Sequence, residues 1–461
     1  MKPPPPALVT LLLPLLELPA CVNTLGDKAA DDTAADTAEV IGDAESAPRF
    51  AHLPLLRIDA AEAIVDGDKV DATLVVVTDH DGTLADVGGL TPSLTTPIGV
   101  ELHGTSSMTQ PKSGYRFECR DHAGEDTNCA LLGLPAGSDW VLHAPYADKT
   151  YMRNALAYTL GRALAVPSGR WEPRSQHVEL LLNGAYEGIY LLVERVSGEG
   201  SRLDLPEPSD PITGEATGAF IVKVDQARGP GFTTALGTRM DWVTPDMDEM
   251  TPATWDYVTS VFDGLEAALS GPGFADPDHG YAAWLDVDAW IDHQLVNELA
   301  ANVDAYRLSA CVHASDRSVD SRVRAGPLWD FDRGFGGTGD CEAHDVTGWV
   351  HETVTRCGHG ELLPFWWARL RDDPAYELRL RERWGELRTG VLDDEALRAR
   401  IATVYASLAE AEVRDHARWP VIGVAVPPAI YVGETWGDDV AWFEAWVLDR
   451  AAWMDGALRL K

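Results

Sequence analysis

Basic side chains are scarce in this sequence. Its 461 residues include 37 lysines and arginines against 73 aspartates and glutamates, which gives a formal net charge of −36. A chain this acidic repels the phosphate backbone of DNA and RNA, so we expect no nucleic-acid partner. The charge excess indicates an acidic, well-solvated surface instead.

Long apolar runs are also scarce. The most apolar stretch, residues 7–18, is too short to cross a bilayer as a helix but has the length of a signal-peptide core. Lys2 precedes it, and Leu18-Pro19-Ala20-Cys21 ends it. This ending resembles a lipobox, where the chain is cut before the cysteine and Cys21 receives lipid, so we predict a lipoprotein signal peptide over residues 1–20. An ordinary signal peptide with an incidental cysteine is the alternative.

Aromatic residues are absent from residues 23–48, which are rich in alanine, aspartate and threonine. Such a segment has little to bury, so we predict a disordered acidic tether over residues 21–48. Val22, which follows the candidate lipid cysteine, is not acidic, and in a double-membraned bacterium this implies sorting to the outer membrane. We therefore expect a protein of the cell envelope or cell exterior, held on the outer membrane by an N-terminal lipid anchor.

Cysteines number only six, and no CxxC or His/Cys pattern in the sequence predicts a zinc site. With Cys21 as the candidate lipid acceptor, five remain for the folded body. In an oxidising compartment the natural disulfides join the cysteines closest in sequence, Cys119–Cys129 and Cys341–Cys357. This pairing leaves Cys311 free.

Strand signals dominate residues 49–225. Residues 71–77 are strand-like, and Asn183-Gly184 between two apolar runs predicts a hairpin with a type I′ turn. One helix interrupts the strands, because apolar residues recur at every fourth position over residues 152–164.

Helical signals dominate from about Thr251 onward. Residues 290–299 carry an apolar stripe behind the candidate N-cap Asp286, and residues 394–413 and 440–458 are rich in alanine, leucine, arginine and glutamate. We therefore predict an α+β fold, with residues 49–225 as a strand-rich N-terminal lobe and residues 226–461 as a mostly helical C-terminal lobe that contains a metal-binding motif. A cleft between two lobes is a common place for a small-molecule site.

The candidate metal ligands lie in Gly-Pro-Leu-Trp-Asp-Phe-Asp-Arg-Gly-Phe-Gly, residues 326–336. If residues 328–332 are extended, Asp330 and Asp332 face one side, while Trp329 and Phe331 point into packing on the other. Two adjacent carboxylates suit Mg²⁺, which takes its other ligands from phosphates and water. An acidic strand end followed by a glycine-rich turn is the alternative.

Asp304 is the candidate third carboxylate. It follows the predicted 290–299 helix, in Asn302-Val303-Asp304. Phosphoryl transfer to a hydroxyl needs one carboxylate to orient and deprotonate the acceptor and another to hold metal on the phosphates. Asp304 and Asp330 could supply these two roles, although residues such as Asp304 often only end a helix.

A turn rich in glycine and serine, Gly104-Thr105-Ser106-Ser107, precedes Lys112. Its backbone N–H groups and hydroxyls could bind phosphate oxygens, with the lysine as a nearby positive charge. The segment is not a Walker A loop, because it lacks the Gly-Lys-Ser/Thr ending. A plain hairpin is the alternative.

Four segments, taken in order, resemble the CotH family of spore-coat proteins, which are atypical protein kinases. Each motif alone is weak or moderate, but the ordered set is specific, and it covers roughly residues 102–336. The segments are the turn and aromatic strand of residues 104–117, the Trp140–Leu142 segment that leads to Asp148-Lys149 and Arg153-Asn154, the hairpin of residues 182–190 that continues to Glu194, and the Asn302 and Pro327–Gly336 motifs.

The resemblance implies a bilobal kinase-like fold that transfers the γ-phosphoryl group of ATP, with Mg²⁺ or Mn²⁺, to serine or threonine of a protein substrate. It implies Asp304 as the acceptor-orienting base and Asp330 and Asp332 as metal ligands. A lysine would contact phosphate and pair with an acidic residue, as in ordinary kinases. The candidates around the nucleotide are Lys112 or Lys223 as that lysine, Glu194 as its partner, and Ser106 and Trp329.

The sequence departs from the family pattern at three positions. Ser309 stands where the family commonly has an asparagine that helps a second metal, His103 replaces an arginine before the turn, and Ser113 replaces a lysine. These changes remove positive charge and a metal ligand, which keeps two other functions open. One is a catalytically weak pseudokinase that acts as a surface binding or scaffolding lipoprotein. The other is a glycan hydrolase that uses Asp330 and Asp332.

Overall fold

Alternating apolar residues in the first half of the chain form a closed barrel. Its strands are β1 (Leu55–Ala60), β2 (Val70–Val77), β3 (Leu94–His103), β4 (Gly114–Cys119), β5 (Asp139–His143), β6 (Ser175–Leu182) and β7 (Ala185–Glu194). Their order around the barrel is β1-β2-β3-β4-β5-β7-β6. Neighbours are antiparallel except β1 and β6, which run parallel and close the barrel. Large side chains such as Phe117, Trp140 and Tyr190 fill the interior.

The computed structural model describes residues 50–82, 91–105, 107–210, 213–227, 229–360 and 363–459. All of them belong to one compact unit, residues 45–461. The predicted signal peptide, the tether, Cys21 and Ser106 lie outside the described residues and stay predictions. Among the described helices, none is both long enough and apolar enough to cross a membrane.

A second sheet follows the barrel. Its strands are β8 (Phe220–Val224), β9 (Gly231–Thr233), β10 (Arg239–Thr244), β11 (Ala310–Ala314) and β12 (Arg324–Ala325). They lie in the order β12-β11-β8-β10-β9, with antiparallel neighbours. The predicted boundary at residue 225 falls directly after β8, inside this sheet, and the division into two lobes stays a prediction.

Helices make up most of the remaining chain, so the protein has a mixed α and β fold. Arg450, which is completely buried, fixes the last helix by donating from Nε to the Glu298 carbonyl at 2.8 Å. The helices are α1 (Arg153–Ala165), α2 (Pro252–Ser270), α3 (Val287–Ala300), α4 (Val350–Arg356), α5 (Trp366–Arg371), α6 (Pro374–Arg388), α7 (Asp394–Leu408), α8 (Ala411–Arg418) and α9 (Trp436–Ala457).

Several local predictions are confirmed. Asn183 and Gly184, with φ of +49° and +80°, turn the chain between β6 and β7. The Asp286 side chain caps α3 by accepting from the Ala289 N–H at 3.3 Å. Both predicted disulfides form, and Cys311 is free and buried. The helical stretch predicted over residues 394–413 is interrupted, because α7 ends at Leu408 and α8 begins at Ala411.

Helix α1 joins the barrel to the rest of the molecule. Its apolar residues and those on the outer face of the barrel, such as Val141 and Leu191, belong to one large core with α3 and α9. The residues before and along α1 are therefore fixed from both sides, and they lie next to the candidate acids.

Candidate active site

Helix α3 ends at the first candidate acid. Its C-cap Ala301 has a left-handed backbone, with φ of +43°, which stops the helix. The Asn302 side chain then accepts from the Asp304 N–H at 3.2 Å and donates to the Asp330 carbonyl at 3.3 Å. Asn302 thus ties the segment with Asp304 to the segment with Asp330.

Asp330 lies in an irregular segment. Residues 326–332 form no strand, and Asp330 has φ of +65°, so the extended conformation predicted here is wrong. The backbone N–H groups of this segment bond to side chains instead: Phe331 donates to Asn154 Oδ1 at 2.7 Å, and Leu328 donates to Glu172 Oε2 at 2.7 Å. Phe331 is buried in the core, as predicted.

Asp330 and Asp332 are crowded together although the segment is not a strand. Burial raises the pKa of Asp330 to about 8, and the Asp332 and Asp304 carboxylates add to the effect. Burial and Asp304 also raise the pKa of Asp332, although a hydrogen bond with Asp330 opposes this. The Ser309 hydroxyl donates to Asp330 Oδ2 at 3.3 Å. One hydroxyl donor is too little to offset the unfavourable interaction between the Asp330 and Asp332 carboxylates.

Asp304 is held by arginines instead. Arg307 Nη2 lies 2.6 Å from Asp304 Oδ1, and Arg333 Nη1 lies 3.5 Å from Asp304 Oδ2. Arg333 also forms an ion pair with Asp340. These contacts fix the orientation of the Asp304 carboxylate.

The two crowded carboxylates fit a hard divalent cation. Such an ion would remove the repulsion that raises their pKa values, and oxygen ligands are those that Mg²⁺ prefers. Among the described residues no three carboxylates bring oxygens within 4.8 Å of one another. A cation at Asp330 and Asp332 would therefore take its remaining ligands from phosphate and water, as Mg²⁺ usually does.

Basic groups of the barrel face this acidic cluster. Burial lowers the pKa of His143, at the end of β5, while the nearby Asp330 and Asp148 raise it in opposition. Burial also lowers the pKa of His103, at the end of β3, to about 4. The positive groups that add to this decrease are Arg116, His143, Arg195 and Lys223. The two histidines are therefore neutral at pH 7, and each of the three cations pairs with an acid: Arg116 with Glu101, Arg195 with Asp139 and Lys223 with Asp225.

The two candidate lysines have different surroundings. The Lys223 side chain on β8 is 34% exposed and lies 2.6 Å from Asp225. Although burial acts against it, this ion pair raises the pKa of Lys223. The Lys112 side chain is only 1% exposed, so a phosphate in solvent cannot reach its ammonium group without a rearrangement.

Lys112 belongs to a buried centre around Asp415 of α8. Asp415 Oδ1 accepts from Lys112 Nζ at 2.6 Å and from the Ile189 N–H at 2.7 Å, and Oδ2 accepts from the Tyr151 hydroxyl at 2.9 Å. Gly188 has φ of +96°, and a Cβ there would lie 2.0 Å from Asp415 Oδ1. The glycine of the predicted hairpin is therefore needed for this close approach.

Glu194 pairs with arginines, so its predicted pairing with a lysine is wrong. It lies 2.9 Å from Arg202 and 3.2 Å from Arg174, and its side chain is fully buried. The reason is geometric: Glu194 ends β7 opposite Trp140, whose ring is covered by Arg202. Glu194 therefore stabilises that end of the barrel.

Trp329 is half-buried and packs on the core. Its ring centroid lies 6.1 Å from that of Tyr158 on α1, so packing accounts for part of its surface. The Tyr158 hydroxyl also accepts from the Asp330 N–H at 3.4 Å. The aromatic pair thus lies directly beside the candidate metal ligands.

Sequence reasoning missed several residues that position the site. The sequence identifies Asn154 only as part of a family motif. In the structure its Oδ1 accepts from the Phe331 N–H, and its Nδ2 lies 3.2 Å from His143 Nε2. Glu172 was missed entirely, and burial raises its pKa to about 8. No periodicity or spacing distinguishes Glu172, because its partner Leu328 is far away in the chain.

Comparison with known protein families finds a match. A family model described as CotH kinase protein matches residues 100–454. The match extends beyond the motifs of residues 102–336 and includes most of the C-terminal helices. No curated protein matches the sequence.

Proposed function

Because the chain belongs to the CotH kinase family, we propose that it transfers the γ-phosphoryl group of ATP to serine or threonine hydroxyls of a protein substrate. In this proposal the barrel and the helical half act as the two lobes of a kinase-like fold. The observation that carries the proposal is the crowding of Asp330 and Asp332, beside Ser309 and in a segment that Asn302 ties to Asp304.

Asp330 and Asp332 hold the divalent cation in this proposal, and the Ser309 hydroxyl helps to orient Asp330. The cation neutralises phosphate charge when it is bound. Lys223 binds phosphate oxygens by exchanging Asp225 for phosphate, because its side chain is partly exposed and that of Lys112 is buried. The Trp329 and Tyr158 rings border the nucleotide.

Asp304 orients the acceptor hydroxyl and takes up its proton. The hydroxyl oxygen forms a bond to the γ-phosphorus, the bond from that phosphorus to the bridging oxygen breaks, and ADP leaves. Arg307 and Arg333 keep the Asp304 carboxylate in one orientation. Proton uptake by Asp304 requires that these arginines loosen their contacts as the charge of Asp304 is neutralised.

The test is phosphate incorporation from γ-labelled ATP with Mg²⁺ or Mn²⁺ into a mixture of serine-rich and threonine-rich proteins. We expect label with the wild type, none above background with Asp330→Ala, and a raised KM for ATP with Lys223→Met. The matched control is Asp248→Ala, which removes an exposed aspartate distant in sequence from Asp330. Equal labelling by wild type and Asp330→Ala would refute the proposed metal site.

A pseudokinase is the second candidate, and the arginines around Asp304 favour it. Arg307 and Arg333 hold the Asp304 carboxylate, which cannot turn towards an acceptor hydroxyl without breaking these ion pairs, and Ser309 offers a hydroxyl where the family commonly has an asparagine. This candidate predicts binding of Mg²⁺ and ATP by the folded protein without label transfer to any acceptor. Calorimetric titration with a non-hydrolysable ATP analogue separates the two candidates.

We also propose the envelope location predicted from the sequence, with lipid on Cys21 and the protein attached to the outer membrane. The support is the short apolar run that ends in Leu18-Pro19-Ala20-Cys21. Cys21→Ser should move the protein from the membrane fraction to the soluble fraction. Unchanged membrane association would refute the lipid anchor.

A further inference from the structure

We propose that the chain carries a redox-gated metal site, formed by Cys341, Cys357 and His359, for a thiophilic divalent cation such as Zn²⁺. The ligand atoms of these side chains lie within 4.8 Å of one another, and no other group of three His, Cys, Asp or Glu side chains in the described residues does so. The two cysteines form a disulfide in the present structure. The metal site therefore exists only after this bond is reduced.

The end of helix α4 fixes two of the three ligands side by side. Gly358 has φ of +90°, and the backbone N–H groups of His359 and Gly358 donate to the Val354 and Thr355 carbonyls at 3.1 and 3.3 Å. These paired bonds are those of a Schellman motif, which ends a helix in one defined conformation. His359 therefore stays beside Cys357 whether or not the disulfide is intact.

Cys341 comes from a separate turn. Cys341 and Glu342 have φ of +50° and +58°, and the Ala343 N–H donates to the Asp340 carbonyl at 3.0 Å. This short turn has its own hydrogen bonds, so it does not depend on the sulfur–sulfur bond alone. Two locally defined segments thus bring the three ligands together.

Exposure separates this disulfide from the other one. Cys357 and His359 are exposed and Cys341 is half-buried, whereas in the second disulfide Cys119 is completely buried and Cys129 is half-buried. A dithiol reductant can therefore reach Cys357 first. The reductant gives two electrons and two protons, the sulfur–sulfur bond breaks to two thiols, and the reductant becomes a disulfide. A bound cation then displaces the two thiol protons.

The ligand set selects the cation. Two thiolates and one imidazole suit Zn²⁺ and similar ions, whereas Mg²⁺ prefers oxygen. The site would therefore not compete with Asp330 and Asp332 for the same ion. Three protein ligands leave a fourth position for water or another molecule.

The site also has a contact route to the candidate active site. Asp340, next to Cys341, pairs with Arg333, and Arg333 lies 3.5 Å from Asp304. A change in the turn at Cys341 would therefore alter the position of the arginine that holds Asp304. This route does not carry the proposal, which rests on the three ligands.

Cobalt is the probe for the test, because Co²⁺ bound to thiolates absorbs in the near ultraviolet and in the visible. We expect no such absorption with the oxidised protein. After reduction with a phosphine, we expect one Co²⁺ per chain, displaced by Zn²⁺. His359→Ala should weaken Co²⁺ binding at least about tenfold and change the visible bands, since it removes a ligand but keeps the disulfide.

Three controls make the result specific. His279→Ala removes an exposed histidine elsewhere and should leave binding unchanged, and so should Cys311→Ser, which removes the free thiol. Alkylation followed by mass mapping should place the new thiols at Cys341 and Cys357. The proposal is overturned if the reduced wild type binds no Co²⁺, if His359→Ala binds it equally well, or if reduction unfolds the chain.

Discussion

Asp415 and the pair Asp330 and Asp332 have opposite surroundings: Asp415 has a full set of hydrogen-bond donors, and the pair does not. Asp415 is 2% exposed and accepts from three donors, one of them the ammonium group of Lys112. Asp330 and Asp332 face each other, with the Ser309 hydroxyl as a side-chain donor to Asp330. Burial raises the pKa values of both Asp330 and Asp332.

The difference distinguishes a structural centre from a functional one. At Asp415 the protein supplies every partner, so the centre connects the barrel to α8 and needs no ligand. At Asp330 and Asp332 the protein leaves charge unmatched, which costs stability and is characteristic of sites that bind something. Both lysines have a carboxylate partner at 2.6 Å, and they differ in burial: the Lys112–Asp415 pair is closed to solvent, whereas the Lys223–Asp225 pair is partly exposed.

The largest change in the free energy of unfolding is expected at Asp415. Asp415→Asn removes the negative charge and leaves the Lys112 ammonium group buried without its counter-ion. Breaking a buried pair in this way costs about 3–5 kcal/mol. Urea unfolding should show this loss, with Asp248→Asn as a control that changes little. A loss below about 1 kcal/mol would mean that Asp415 is not the structural centre described here.

A substitution at Asp330 should change the free energy of unfolding in the opposite direction. Asp330→Asn removes a carboxyl group that must take up a proton when the chain folds at neutral pH, so it should stabilise the metal-free protein by about 1–2 kcal/mol at neutral pH and above. The folded protein holds the Asp330 proton up to about pH 8, whereas the unfolded chain releases it near 3.8. Wild-type stability should therefore fall relative to Asp330→Asn as pH rises between these values, and the difference should vanish below them. Unfolding curves from pH 4 to 9 measure it, and a destabilised Asp330→Asn would contradict the interpretation.

A divalent cation bound to Asp330 and Asp332 should supply the positive charge that Lys112 supplies to Asp415. Mg²⁺ at ten times its dissociation constant stabilises a one-site protein by about 1.4 kcal/mol. We expect this gain in the wild type and its loss in Asp330→Asn, measured as the change in Tm with Mg²⁺. An equal gain in both proteins would place the cation elsewhere.

The smallest effect is expected at Ser309. Ser309→Ala removes the 3.3 Å hydrogen bond to Asp330, which should cost about 0.5–1 kcal/mol. The variant should also bind Mg²⁺ more weakly, because Asp330 is less well oriented. Calorimetric titration with Mg²⁺ checks this, and unchanged affinity would show that Ser309 has no part in the site.

Elements defined by neighbouring residues could be predicted from the sequence. The turn at Asn183-Gly184, the cap at Asp286 and the two disulfides each depend on residues close together in the chain. The order of the CotH motifs located the acids, even though the conformation assigned to their segment was wrong, because Asp330 adopts a left-handed backbone that no pattern of apolar residues indicates.

Partnerships between distant segments could not be predicted. Lys112 meets Asp415 because α8 packs on β7 of the barrel, and Glu194 meets Arg174 and Arg202 because the chain on either side of the β6–β7 hairpin folds onto the end of the barrel. The sequence lists both lysines as equal candidates, and only burial tells them apart. Glu172 is a similar case, since its role depends on the distant Leu328 N–H.

The pairing of Lys112 with Asp415 also sets a timetable for synthesis. The two residues are 303 positions apart, and ribosomes add about 5–20 residues per second. The barrel lysine is therefore made roughly 15–60 s before its counter-ion exists. Until α8 has been made, Lys112 has no counter-ion at a position that is buried in the finished protein, so the burial of its charge waits for nearly the whole chain.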